Sequence, residues 1–345
     1  MIAEFRTAFQ DLMDAAEHRS SDVMTHVRTV FQLADDVTEA DRSAALDALA
    51  PVIASAVPGL SADLSILAGS LVDKDTPAGP AGIAVLEQLS RFGKGAGVFL
   101  YAWEETGQDS PPHPDEVSQE HEERVAAVLD ELAEVATTSW WVAHRFGLSA
   151  KTMLTDAKLR AHVRGEPELL EHLTLIAQQL ALHIEPFGET HELLRMATAD
   201  RAVVLDRASG RGFRVRFDGI GDNFQLHTLL AQALIAERQI PGQAPHPSWV
   251  AAATDGPGGE QIVHGAWDLV GGDGTWAGNE SFPADLPVID GDRVLILEPI
   301  SLPHSWRSGR RHPHIDGWLT VTAELDGADW WPRVAPPGTR HPLKA

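Results

Sequence analysis

The sequence contains no cysteine, one tyrosine and only five lysines among 345 residues. Without cysteine there is no disulfide framework, no thiolate metal site and no cysteine nucleophile. No apolar run approaches the roughly 18 residues that span a bilayer. The opening Met1-Ile-Ala-Glu-Phe-Arg6 has no basic segment leading into an apolar one, so the expectation is a cytoplasmic protein without membrane association. Several chemical signatures are also missing. There is no GxGxxG, no P-loop lysine and no GxSxG, and Ser305 and Ser308 have no recognisable base and orienting acid. His121-Glu-Glu and His191-Glu-Leu lack the second histidine of a zinc-protease helix.

What is present is acidic and unevenly distributed. Of the net charge of −23, residues 1–200 carry −19. Such a surface repels phosphate backbones and anionic membranes, and its main consequence is solubility, with attraction of a basic protein partner as the functional alternative.

Residues 1–199 are predicted to form a helical domain of stacked antiparallel helices. Ile2, Phe5, Phe9, Leu12, Met13 and Ala16 mark one helical face, and Val23, Val27, Val30, Phe31 and Ala34 a second. Thr38 with Asp41 three residues on reads as a helix start, and Pro51 should kink or divide that helix. Residues 81–103 are apolar and helical, although Gly93, Gly95 and Gly97 argue against it locally. After a proline-punctuated loop over 104–114, a long helix should turn Val125, Val128, Leu129, Leu132, Val135 and Ala136 inward.

Residues 200–345 are predicted to form an antiparallel β-rich domain with a helix near 223–237, giving an α+β chain overall. Strands are expected at 202–205, 213–217, 261–264, 293–297 and 318–322. Seven of the ten tryptophans lie between Trp249 and Trp331. Trp267, Trp276, Trp306 and Trp318 among them serve either as core or as the wall of a pocket.

The most distinctive stretch runs from Gly210 to Leu230, where a strand feeds a glycine-containing loop that opens a helix. Backbone N–H groups and the helix dipole there favour an anion. Arg211, Arg214, Arg216, Asp222, Asn223, Gln225 and His227 are the candidate residues for a small anionic ligand. Equally, Asp222 can cap the helix and the arginines can line a solvated face. His264, His304, His312 and His314 are the candidate metal ligands, on the expectation that His312-Pro-His314 lies in a strand with both imidazoles on one face. His183, Glu185, Glu189, His191 and Glu192 form a weaker cluster around a Pro186–Gly188 turn. Finally, Trp140 to Thr155 has helix-turn-helix spacing, with the turn at Gly147, a second helix from Thr152, and Arg145, Lys151, Lys158, Arg160 and Arg164 close by.

Gly219-Ile-Gly-Asp-Asn-Phe-Gln-Leu-His-Thr-Leu-Leu230, Pro283-Ala-Asp-Leu-Pro287 and Ser305-Trp306 together resemble a group of uncharacterised proteins of high-GC bacteria. The resemblance covers about residues 200–331, implies relatives and carries no activity. Three readings therefore stand. The first is a non-catalytic binding or adaptor protein with a protein partner. The second is an enzyme or ligand-binding protein with an anion or metal site in the C-terminal domain. The third is a DNA-binding regulator using residues 140–164.

Overall fold

The computed structural model describes residues 1–108 and 110–337. The chain is α+β, helical in its first part and strand-bearing in its second, and divides into two compact units, Met1–Leu194 and Arg195 onward. Among the described residues no helix is long and apolar enough to cross a membrane.

The first unit is built from α1 (Ile2–Glu17), α2 (Val23–Leu33), α3 (Glu39–Ser55), α4 (Pro58–Val72), α5 (Gly79–Glu105), α6 (Gln119–Leu129), α7 (Ala133–Met153), α8 (Ala157–Arg164), α9 (Pro167–Leu180) and α10 (Pro186–Ala197). Thr38 caps α3 as expected, its Oγ1 accepting from the Asp41 N–H at 3.3 Å. Pro51 does not divide α3, which continues to Ser55. The three glycines of α5 are sites of close helix approach. A Cβ on Gly93 would stand 2.4 Å from Ile176, one on Gly95 2.2 Å from Ser139, and one on Gly97 3.0 Å from Gln179. Their helix-propensity cost is offset by bringing α7 and α9 onto α5.

Two expectations fail here. The long helix after the 104–114 loop is broken at Asp130, whose φ is +49°, so Val125 and Ala136 are buried while Leu132 and Val135 are 60% and 63% exposed. The turn expected at Gly147 is not formed, because α7 runs through Gly147, which packs against Phe187, and the break comes instead between Met153 and Ala157, where α8 begins. Arg160, expected on a basic face, is buried and donates to the Leu154 and Thr155 carbonyls at 2.8 Å, closing the C-terminal end of α7.

The second unit contains β1 (Arg201–Asp206), β2 (Gly212–Asp218), α11 (Asn223–Ala231), α12 (Pro247–Thr254), β3 (Ile262–His264), β4 (Asp268–Gly271), β5 (Val288–Ile289), β6 (Asp292–Glu298), β7 (Ser305–Arg307), β8 (Trp318–Leu325) and α13 (Gly327–Trp330). A π-helical turn, Gln232–Ala236, follows α11. The main sheet has the order β4-β6-β1-β2-β8, with β5 beside β6, while β3 and β7 form a separate ribbon. The sheet is mixed rather than antiparallel throughout: β1 and β6 pair in parallel, with Val203 opposite Val294.

Both faces of the sheet centre are covered, which explains the unbroken apolar run of β1. Val204, Phe213, Val215, Phe217, Leu295 and Leu297 pack with Leu226 and Leu230 of α11. On the other face Val203, Leu205, Val294 and Ile296 pack with Trp330. The Trp331 indole N–H donates to the Gly210 carbonyl at 3.0 Å and ties this segment to the β1–β2 turn. Trp267, Trp306 and Trp330 are buried, Trp249 is half-buried and Trp318 is exposed.

Candidate functional site

The loop from β2 into α11 has the strand–glycine–helix form read from the sequence. Gly219 has a φ of +69°, and a Cβ there would stand 2.0 Å from the Asp316 carbonyl oxygen. Asp222 caps α11, its Oδ1 accepting from the Gln225 N–H at 2.8 Å. The helix end that should have been open to an anion is instead filled by protein. The Asn223 N–H donates to the Ser281 carbonyl at 2.8 Å and the Phe224 N–H to that of Asn279 at 2.9 Å. The Asn223 amide donates to Gly278 at 2.9 Å. Gln225 is fully used: its Oε1 accepts from the Gly221 N–H, and its Nε2 donates to the Gly219 and Ala253 carbonyls, all within 3.0 Å.

The arginines do not converge either. Arg211 pairs with Glu324 at 2.7 Å, Arg214 with both oxygens of Asp292 at 2.8 and 3.2 Å, and Arg216 with Asp200 at 3.5 Å. Of the seven residues expected to hold an anion, His227 alone lines the cavity beside α11.

That cavity, of about 390 Å³, is enclosed by α11, the π turn, the 241–245 loop, α12 and β3. Its wall includes His227, Thr228, Ile235, Pro245, Trp249, Val263, His264, Trp267 and Ile300, and none of its lining residues is Asp, Glu, Lys or Arg. The chain has 77 such residues, and none of them lines this cavity.

His227 is 1% exposed. Its Nε2 accepts the Ala266 N–H at 2.9 Å, so the ring proton is on Nδ1. That Nδ1–H is buried and has no partner among the described residues. The ring stacks on Trp267 at 5.4 Å between centroids and lies 5.0 Å from Trp306 and 5.8 Å from His304. Burial, reinforced by His304, pushes its pKa down to about 3, so the imidazole is neutral at physiological pH.

Behind the cavity wall stand His304 and Asp268. The His304 Nδ1 is 3.1 Å from the Leu302 carbonyl and 3.8 Å from Asp268 Oδ1. Both neighbours only accept, which in the neutral ring assigns the His304 proton to Nδ1 rather than to Nε2. That Nε2 is buried, has no partner among the described residues and rests over Gly265, where a Cβ would stand 2.3 Å away. The other Asp268 oxygen accepts from the Ser301 N–H and hydroxyl at 2.8 and 2.5 Å.

The four candidate metal ligands do not assemble. His264 is exposed at the cavity rim and His304 lies behind its wall. His312-Pro-His314 is a turn and not a strand, with His312 buried and His314 exposed. Among the described residues, no group of three or more His, Asp or Glu side chains is arranged to hold a metal ion. In the first unit, His183, Glu185 and Glu189 of the weaker cluster line a polar cleft with His113, His144 and Lys151. His113 and His144 come from distant sequence and carry no motif. Burial lowers the His144 pKa, against the opposing pull of Asp115 at 3.8 Å.

Sequence reasoning names His227, His264 and Trp267 but misses Trp249, the Pro241–Pro245 loop and the pairing of Asp268 with His304. Of these, the proline-bracketed loop alone leaves a local signal. Comparison with known proteins finds no matching protein family, no matching curated protein and no matching solved structure.

Proposed function

We propose that the second unit binds a small uncharged molecule in the cavity beside α11. The observation that carries this reading is the buried, protonated Nδ1 of His227, with no acceptor among the described residues, on a wall without formal charge. Leaving such a donor unsatisfied costs roughly 1–3 kcal/mol, which a ligand acceptor recovers. A volume of about 390 Å³ with indole walls matches small-molecule sites, which are apolar with few polar groups. The expected ligand is therefore neutral, where the sequence pointed to an anion. The test is a thermal-shift screen of neutral and anionic metabolites against the intact protein and its His227→Phe variant. Neutral compounds should raise the Tm of the wild type only. Stabilisation confined to anions would overturn the reading.

A protein-binding role for the first unit has its own support. Tyr101 of α5 is 58% exposed, and Leu132 and Val135 at the N-terminal end of α7 are 60% and 63% exposed. Glu104, Glu105, Asp130, Glu131 and Glu134 lie on the same stretches, in the acidic half of the chain. Exposed apolar side chains on segments rich in carboxylates suit a basic amphipathic helix. A Leu/Lys amphipathic peptide should bind the wild type and not the Leu132→Ser, Val135→Ser double variant. Equal binding to both would remove this reading.

A further inference from the structure

One wall of the cavity is built unlike the others, and its role rests on the small-molecule reading above. Pro241, Gly242, Gln243, Ala244 and Pro245 all line the cavity, and the first four are exposed to solvent. Among the described residues this segment neither gives nor accepts a hydrogen bond. Both of its ends are fixed. Before it, the Gln239 and Ile240 N–H groups donate to the Leu234 carbonyl at 2.8 and 3.0 Å, Ile240 is buried, and the Gln239 carbonyl accepts from Arg211. After it, His246 caps α12, its Nδ1 accepting from the Ser248 N–H at 3.3 Å and its carbonyl from the Trp249 N–H at 2.9 Å. The remaining walls carry backbone hydrogen bonds, in α11, the π turn, α12 and β3 and at Gly265 and Ala266. A segment with bonded ends and an unbonded middle lifts at the least cost.

A single close approach seats this segment. A Cβ on Gly242 would stand 2.7 Å from Cδ1 of Ile235 in the π turn, and 3.1 and 3.2 Å from its Cγ1 and Cγ2. Gly242 does not have a positive φ, so glycine is required here by the contact and not by the backbone. Pro241 and Pro245 fix their own φ and restrict the residues before them, which leaves bending to Gly242 and Gln243.

We propose that Pro241–Pro245 is a lid, closed when Gly242 rests on Ile235 and lifted to let the small molecule enter and leave. The chain has no cysteine, so an Ile235→Cys, Gly242→Cys pair carries the only thiols. The contact with both γ carbons puts the two Cβ atoms near the separation a disulfide needs, about 3.5–4.5 Å. The probe is N-phenyl-1-naphthylamine, a neutral dye that brightens in apolar surroundings, followed by stopped flow on the intact protein. Dye in the cavity is the part of the signal lost in Ala231→Phe, whose ring fills the space. Oxidation of the cysteine pair should slow its entry and release about a hundredfold, and dithiothreitol should restore both rates. In the opposite direction, Gly242→Ala should speed release about tenfold, and should change nothing in an Ile235→Ala background. Hydrogen exchange of the Gly242, Gln243 and Ala244 amides in wild-type protein, fast when free and slowed by the dye, keeps the test intact if the disulfide does not form. Equal rates in the oxidised and reduced pair, with loop exchange unaffected by the dye, would overturn the lid and leave small-molecule binding standing. Absence of a cavity signal in every form would overturn both.

Discussion

Gln225 and His227 are two residues apart on α11 and equally buried, each 1% exposed, yet their polar atoms meet different ends. The side-chain donors and acceptor of Gln225 are matched by backbone: Gly221 from one side, Gly219 and Ala253 from the other. His227 is matched at Nε2 by Ala266 and unmatched at Nδ1 among the described residues. Burial of a polar group is therefore no sign of a site. A sign of a site is burial with one valence left over and space beside it, and of these two residues only His227 has both. The loop into α11 is fully bonded at its glycine end and leaves a buried ring nitrogen unpaired two residues further on.

The sharpest way to break that comparison is to remove Gln225. Gln225→Ala leaves a buried N–H and two buried carbonyls without partners, and should cost about 3–5 kcal/mol in urea denaturation. A cost below about 1 kcal/mol would mean that Gln225 does not hold the loop. The second test is acid. The His227 pKa in the folded protein is about 3, below the unfolded value near 6.5, so the unfolded chain binds the extra proton between these limits. The stability contributed by a neutral His227 is complete above about pH 6.5 and is lost as pH falls towards 3, at up to about 1.4 kcal/mol per pH unit. Denaturation curves at pH 7, 6 and 5 should show a slope in the wild type that His227→Phe reduces by that amount. An unchanged slope would place the histidine in contact with water. A smaller effect, about 1–3 kcal/mol, is expected for Gly265→Ala, whose Cβ must displace His304. Fluorescence titration should show weakened ligand binding in the same variant.

These differences also explain what the sequence could and could not disclose. The Asp222 cap and the glycine loop were legible because each is decided within four residues. The mixed sheet was not, because the parallel partner of β1 is β6, some 90 positions on, and no local pattern encodes that pairing. Leu132 and Val135 continue the apolar period of the preceding helix, which breaks at the positive φ of Asp130, and both are exposed, as is Val128 before the break. Gly93, Gly95 and Gly97 read as helix breakers because the residues that require them, Ile176, Ser139 and Gln179, lie 40 or more positions away. Sequence proximity groups His227 with Arg214 and Arg216, yet its working neighbours are Ala266, Trp267 and His304. A cavity assembled from four separate segments leaves no spacing to find.

The gentlest test concerns those arginines. The Arg214 and Arg216 side chains are 38% and 59% exposed, and their partners Asp292 and Asp200 are 18% and 20% exposed. Partly solvated pairs of this kind contribute about 0–1 kcal/mol, the bidentate Arg214 pair lying toward the upper end. Arg214→Ala and Arg216→Ala should therefore lower stability by no more than about 1 kcal/mol each. Neither residue lines the cavity, so both variants should bind a neutral ligand as the wild type does. Raising the salt concentration should shrink the stability difference and leave binding unchanged, because an uncharged wall has nothing to screen. A loss of ligand affinity in Arg214→Ala, reversed by Arg214→Lys, would mean that charge reaches the ligand after all. In that case the division of α11 between a structural head and a binding face would have to be redrawn to include β2.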